Sequence, residues 1–497
     1  MIFNFESIFL ESQKSFYALR IFEEDKKFLN FTYGPIYLIY LKTISFFFNF
    51  PEIIKVELLI SSSFFILYFY KLLKFFFERL VSFFILLPVI PIILLIESRQ
   101  NLLAATFFII YIIQIVKNNK NELLPLSILI STMISKTFVP LLLLNFVNSL
   151  ILNRNSLFKL KYSNKFVLKI SLLIFLMTAL FFQSDSKFNN HMLYDAKYVP
   201  PINLNNPLEI GFFQFNNQRL NDKDQNSNED WYNSFQKNYK NKNSLIKVII
   251  NEPFLFIDHL IINIPKLTYE IVKKTTGYFI VYQNKSVKIL LICISTFLLI
   301  IGLFEFYKKF RQKNLIPLFF YLLIFFTSLV VTNPSERYVS LIMPCIFIIF
   351  FLSLNKFFKE KFFLAVVSLC LFISFFNYKY YLNFVKIHFQ QTKEISKFLE
   401  LQNTNKIKIL TNEKNFLSTI NNINKEYIGF DSLPPYYDRE VDLTISNLDF
   451  IIFSKNASSF NDISTKQGHK FKYYIKTKLN SEKMVFKKDN FTIIFLK

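Results

Sequence analysis

Asn333-Pro334-Ser335-Glu336-Arg337-Tyr338 leads directly into an uncharged run from Val339 to Leu354. A second apolar run, Leu315 to Thr332, comes just before it. Pro334 cannot continue a helix and presets a turn. Glu336 and Arg337 therefore stand on a short, stiff corner at the mouth of a membrane span. Charge at a hydrocarbon boundary is costly unless it meets water, a partner or a ligand. An arginine that merely reaches to lipid head groups is the plain alternative.

The rest of the chain repeats this alternation. It has 497 residues, of which 66 are Phe and only 6 are Gly. Runs of Phe, Ile and Leu are separated by loops rich in Lys and Asn. Several runs reach the ~18–20 apolar residues that cross a bilayer. The pattern predicts a multi-pass membrane protein. A net charge of +23 suggests nucleic acid at first. The charge lies in loops between apolar runs, not on one compact basic face, which excludes that partner. Anionic lipid and positive-inside topology account for it. Cys293, Cys345 and Cys370 all fall in apolar runs, so no disulfide framework is read. His191, His259, His388 and His469 are scattered, and no metal-ligand spacing emerges. No signal-peptide pattern opens the chain.

Residues 1–55 are read as an acidic outer segment, with Glu6, Glu11, Glu23, Glu24 and Asp25, followed by a helix over Tyr33 to Phe50 that lies at the membrane interface. Residues 56–183 are read as spans near 56–75, 80–96, 102–116, 122–135, 136–152 and 166–183. Residues 184–287 form a large polar loop containing Trp231, the single tryptophan. Its later part, Leu245–Lys274, carries an apolar face suited to a membrane or catalytic surface. Residues 288–383 hold spans near 288–307, 315–332, 338–354 and 361–377. The fold class is thus a polytopic α-helical membrane protein of about ten spans.

Lys and Arg set the orientation. The loops Lys71–Arg79, Lys117–Lys120, Arg154–Lys165, Lys308–Lys313 and Lys356–Lys361 are basic and fall on one side by alternation. That side is read as cytoplasmic. The opposite side receives residues 1–55, the Glu97–Asn101 turn, the Ser135-Lys136 turn, the loop 184–287, the Glu336-Arg337 corner and the tail.

Residues 384–497 change character. Short strand-like runs are predicted at Ile407–Leu410, Tyr427–Phe430, Phe450–Phe453, Tyr473–Thr477 and Phe491–Leu496, with a helical pattern at Thr392–Leu401. They predict an extracytoplasmic α/β domain of roughly 110 residues, enough for a modest core.

Four polar clusters share the outer face: Glu11-Ser12-Gln13; Glu97-Ser98-Arg99-Gln100-Asn101; Ser135-Lys136; and Glu336-Arg337-Tyr338. Together they supply carboxylates and at least three cations at a membrane surface. Arg offers a two-pronged fork and Lys a point charge, which suits a phosphate or pyrophosphate lipid head group. A carboxylate beside such a site can act as general base toward a hydroxyl.

The ordered set resembles the GT-C glycosyltransferases of the protein-mannosyltransferase and lipid A aminoarabinose-transferase type. Those enzymes take a sugar from a polyprenyl-phosphate carrier. They show an acidic first outer loop, an interface helix, an outer turn ending in Arg-x-x-Asp, a Lys-containing turn with a following Pro, and a Glu-Arg-Tyr span. The counterparts here are Glu11-Ser12-Gln13, Gly34-Pro35-Ile36-Tyr37-Leu38-Ile39-Tyr40, Ser98-Arg99-Gln100-Asn101, Ser135-Lys136-Thr137-Phe138-Val139-Pro140, and Glu336-Arg337-Tyr338 with Pro344. The likeness covers residues 10–355 in order. It departs at three points. The family's first span would precede the acidic loop, yet Met1 stands almost at the loop, so either that span is missing from the start or the N-terminus sits outside. Leu10 stands where the loop's acid pair would continue. Asn101 replaces an acid.

The resemblance implies transfer of a sugar to a hydroxyl of a lipid, glycan or protein acceptor, with inversion, at the extracytoplasmic face of a bacterial inner membrane. Glu11 would be the base. Arg337, Lys136 and Arg99 would hold the donor phosphate, with Glu336, Tyr338 and Glu97 completing the binding site. No cofactor beyond the lipid-linked donor is expected, and the metal requirement stays open. A flippase or a polymerase or ligase of lipid-linked glycans is the rival reading. A flippase would want charges buried mid-span and paired halves.

Overall fold

The computed structural model describes residues 34–48, 52–94, 99–118, 125–152, 244–276, 285–309, 316–332, 336–358 and 362–376, five strands between 407 and 495, and a few isolated positions. The helices are α1 (Pro35–Ser45), α2 (Glu52–Leu73), α3 (Arg79–Leu94), α4 (Arg99–Asn118), α5 (Leu126–Ile134), α6 (Val139–Leu152), α7 (Leu245–Asn251), α8 (Pro253–Thr276), α9 (Lys285–Lys309), α10 (Ile316–Val331), α11 (Glu336–Phe357) and α12 (Phe362–Phe376). A single 3₁₀ turn, Lys136–Phe138, joins α5 to α6. Three of the described helices are long and apolar enough to cross a membrane: Val56–Leu73 in α2, Gln100–Lys117 in α4 and Val339–Phe357 in α11. α1, α3, α6, α10 and α12 are shorter apolar helices. The helical part has the make-up of a membrane protein. Of the expected run at 166–183 only Leu173 is described.

α11 is the centre of the bundle. Nearly every side chain from Val339 to Leu354 is buried, and α11 packs on α4, α8 and α9. Its packing with α9 is close because Gly302 has no side chain. A Cβ there would stand 2.0 Å from the Ile349 carbonyl oxygen. Small residues let helix backbones approach in this way.

Specific contacts fix which ends of the helices meet. Ser131 donates its hydroxyl to the Ala104 carbonyl at 2.8 Å and Ser127 to Gln114 at 2.6 Å. α4 and α5 are therefore antiparallel. Tyr111 donates to Asn145 at 3.0 Å, and Phe108 meets Phe138 at 5.1 Å between ring centroids, so α6 runs with α4. Phe69 lies against Phe347 and, past both helix ends, Phe77 against Phe363; α2 and α11 thus run parallel. The same end holds Lys71 in the last turn of α2, Lys74 after it and Arg79 at the start of α3, with Lys308 and Lys356, both bonded to Glu305 at 3.4 and 2.6 Å. Three of the five basic loops thereby share one end of the bundle, as a positive-inside arrangement requires.

In the tail, β1 (Ile407–Thr411), β2 (Lys425–Gly429), β3 (Phe450–Ser454), β4 (Val485–Lys488) and β5 (Phe491–Phe495) form one sheet in the order β2-β1-β3-β5-β4. β1 is parallel to β2 and β3, while β5 is antiparallel to β3 and β4. Four of the five predicted strands are present within a residue or two. The fifth, Tyr473–Thr477, and the helix Thr392–Leu401 lie outside the described residues. β4 is an addition. It precedes β5 by the two residues Asp489-Asn490, a hairpin spacing.

Candidate active site

Three of the sequence motifs meet at one atom, the carbonyl oxygen of Ile134. It lies at the C-terminus of α5, where helix carbonyls lack intrahelical partners. Gln100, in the first turn of α4, donates its side-chain amide to this oxygen at 2.7 Å. From the other side Gly34, which caps α1, lies so close that a Cβ would stand 2.2 Å from it. Gly34 has φ +70°, a region costly for residues that carry a side chain. Pro35 then starts α1 at its first position, where a missing N–H is harmless. The Gly34-Pro35 entry, the Arg99-Gln100-Asn101 turn and the Ser135-Lys136 turn are thus one construction. Gln100, Asn101 and Ser135 are all buried in it.

α2 joins at the same end. Tyr37 of α1 donates its hydroxyl to the carboxylate of Glu57, which is wholly buried. Tyr40 reaches the Glu57 backbone carbonyl at 3.4 Å. Burial, and then the charge of Glu57, push the Tyr40 phenol well above its ordinary range, so it stays a neutral donor. Glu57 was not among the sequence candidates. The signal for it was an acid inside an apolar run, which is a site hypothesis by default.

The fourth motif arrives by helix register. Phe347 lies eleven residues beyond Glu336, and Phe69 twelve beyond Glu57. At about 1.5 Å per residue, the first turn of α11 stands at about the depth of Glu57. The structure begins α11 at Glu336. This amends the sequence expectation of a corner: Glu336, Arg337 and Tyr338 form a helical first turn. The N-termini of α2, α4 and α11 all point to this end, and helix N-termini favour anions.

Arg99, Lys136, Glu336, Arg337 and Tyr338 are described in their backbones. Glu11 and Glu97 lie outside the described residues, as does Trp231.

The end of α10 is gripped by α8. Asn263 donates to the Val330 carbonyl at 2.8 Å and reaches that of Thr332 at 3.4 Å. His259 Nε2 lies 2.9 Å from the Val331 carbonyl. The Asn263 amide nitrogen lies 2.9 Å from the same Nε2, so the imidazole tautomer sets which of the two contacts is a hydrogen bond. Phe212 meets the His259 ring edge-on at 4.8 Å. His259 is 2% exposed. The run Pro253-Phe254-Leu255-Phe256 is apolar on both sides of the helix, so periodicity cannot tell which side faces the bundle. Asn263→Ala is expected to lower stability by about 2 kcal/mol, since two helix-end carbonyls lose a donor. Thermal unfolding of the purified protein in detergent checks this, and cleavage within 333–335 should rise in parallel.

No family model, characterised protein or solved structure matches the chain.

Proposed function

We propose that the chain is a membrane glycosyltransferase of the GT-C kind, with about ten spans, that moves a sugar from a polyprenyl-phosphate donor to a hydroxyl acceptor. The observation that carries this reading is the meeting of two polar motifs and the Gly34-Pro35 helix entry at the Ile134 carbonyl, with the first turn of α11 at the same end.

In this reading the donor arrives from the lipid, and Lys136 and Arg337, with Arg99, hold its phosphate. Glu336 orients Arg337, and Tyr338 and Glu97 border the sugar. Glu11 accepts the proton of the acceptor hydroxyl as its oxygen attacks the anomeric carbon. The bond from that carbon to the phosphate oxygen breaks, and polyprenyl phosphate leaves with inversion at the sugar. Stabilising charge on the leaving phosphate is the larger electrostatic effect. The base contributes about 10²–10⁴-fold. The site and the tail would face the outside of a bacterial inner membrane.

The test is purified full-length protein in lipid nanodiscs with polyprenyl-phosphate-linked sugars, reading release of polyprenyl phosphate by mass spectrometry. Glu11→Gln is expected to slow release by about 10²–10⁴-fold with donor binding kept. If Glu6→Gln or Glu24→Gln is the damaging change instead, the base is another acid of that segment. Movement of intact lipid-linked glycan across liposomes without sugar release would make the chain a flippase.

A further inference from the structure

We infer that α7 and α8 form a lipid-embedded platform lying in the membrane interface at the end of the bundle that carries the Glu336-Arg337 turn, with the acyl chains of bulk phospholipid as the occupant of their exposed apolar face.

α8 has three sides. At about 100° per residue, Phe254, Ile257, Ile261 and Ile264 fall on one narrow stripe, and all are exposed, Phe254 to 84%. His259, Asn263 and Leu267 recur every fourth residue on another side and are buried against the bundle. Asp258 and Lys266 flank Ile262 on the third, and all three are exposed. α7 prolongs the apolar stripe with Ile246 and Ile250, again exposed, beside an exposed Lys247.

A helix bathed only in water needs two sides, one buried and one polar. A helix in the head-group region needs a third, apolar side for the acyl chains. Continuity of surface decides the occupant. α8 packs on α9 and α10. Each of these turns its own exposed row outward: Ile294, Phe297, Ile300 and Phe304 on α9, and Ile316, Phe319, Phe320 and Leu323 on α10. These rows have the composition of a hydrocarbon-facing surface. Polar breaks would set off a protein-docking patch; along the α8 stripe itself, the exposed residues are Phe and Ile.

Depth follows from this placement. The buried side of α8 grips Val330 to Thr332 through Asn263 and His259, and the Glu336-Arg337 turn begins four residues after Thr332. A platform floating at the interface thus sets the height of that turn against the phosphate plane of the bilayer.

The test is tryptophan quenching in the full-length protein, with Trp231→Phe as background, in nanodiscs of phosphatidylcholine brominated near the top of the acyl chain. Phe254→Trp is expected to lose about half its emission to bromine and little to aqueous acrylamide, and Lys266→Trp the reverse. Ile261→Trp serves should Phe254→Trp fail to fold. Quenching of Phe254→Trp by acrylamide alone overturns the inference. So does shielding from both quenchers, which would mean that protein, such as a second copy of the chain, covers the stripe. Either failure leaves the transferase assay unaffected, so the two readings stand or fall separately.

Discussion

Arg337→Ala is expected to abolish sugar transfer while the protein still folds. Arg337 is the second residue of α11, ahead of the buried stretch that begins at Val339. The chemistry that the proposed transfer asks of it is severe. As the sugar–phosphate bond breaks, negative charge gathers on the departing phosphate, and a fixed guanidinium there is worth about 10²–10³-fold in turnover. The N-terminus of α11 adds its own partial positive charge at that level. Arg337→Lys keeps the charge and loses the fork, so partial recovery is expected. The measurement is polyprenyl-phosphate release at saturating donor, alongside the melting temperature. Near-normal turnover in Arg337→Ala, with an unchanged melting temperature, would remove this residue from the site and leave the donor phosphate without its main partner.

Gly34→Ala is expected to cost both stability and activity, at a position with no reactive group. Its backbone angle alone costs a residue with a side chain about 1–3 kcal/mol. The added methyl would also sit 2.2 Å from the Ile134 oxygen and 2.7 Å from that of Met133, both backbone atoms that cannot swing aside. Overpacking adds about 1–3 kcal/mol, so a total loss of about 3–5 kcal/mol is expected. α1 must lift from α5, and the turn bearing Lys136 shifts with it. Thermal unfolding in detergent gives the first number, and donor affinity gives the second. Full stability with lost donor binding would point to a direct contact of Gly34 with substrate instead.

The long helices were legible as apolar runs: α2, α4, α9, α10 and α11 begin and end within a few residues of the expected limits, and α2, α4 and α11 are long and apolar enough to cross a membrane. The tail strands were legible where apolar residues cluster, as in Phe450–Phe453. β4 was not, because Val-Phe-Lys-Lys is half lysine and belongs to the sheet edge, where charge is tolerated. The polar clusters were legible, and the structure joins two of them to the Gly34-Pro35 entry. What no local pattern carries is how they join. Gln100 looked like a spacer between Arg99 and Asn101, yet its amide is the bond across to α5. His259 and Asn263 needed knowledge of which helix end they face, which is a property of packing and not of period.

The joint at Ile134 also has a bearing on how the protein is made. Its three contributors are separated in the chain, and residue 134 leaves the ribosome about 100 residues after Gly34, on the order of 5–20 s later at ordinary rates of synthesis. Until then α1 has only its contacts with α2, through Tyr37, Tyr40 and Glu57. Its Tyr37, Leu38 and Leu41, which end up fully covered, must be sheltered in the meantime by the insertion machinery or by lipid. This joint therefore closes only once the first 134 of the 497 residues are made, and a nascent chain halted before residue 134 would lack it.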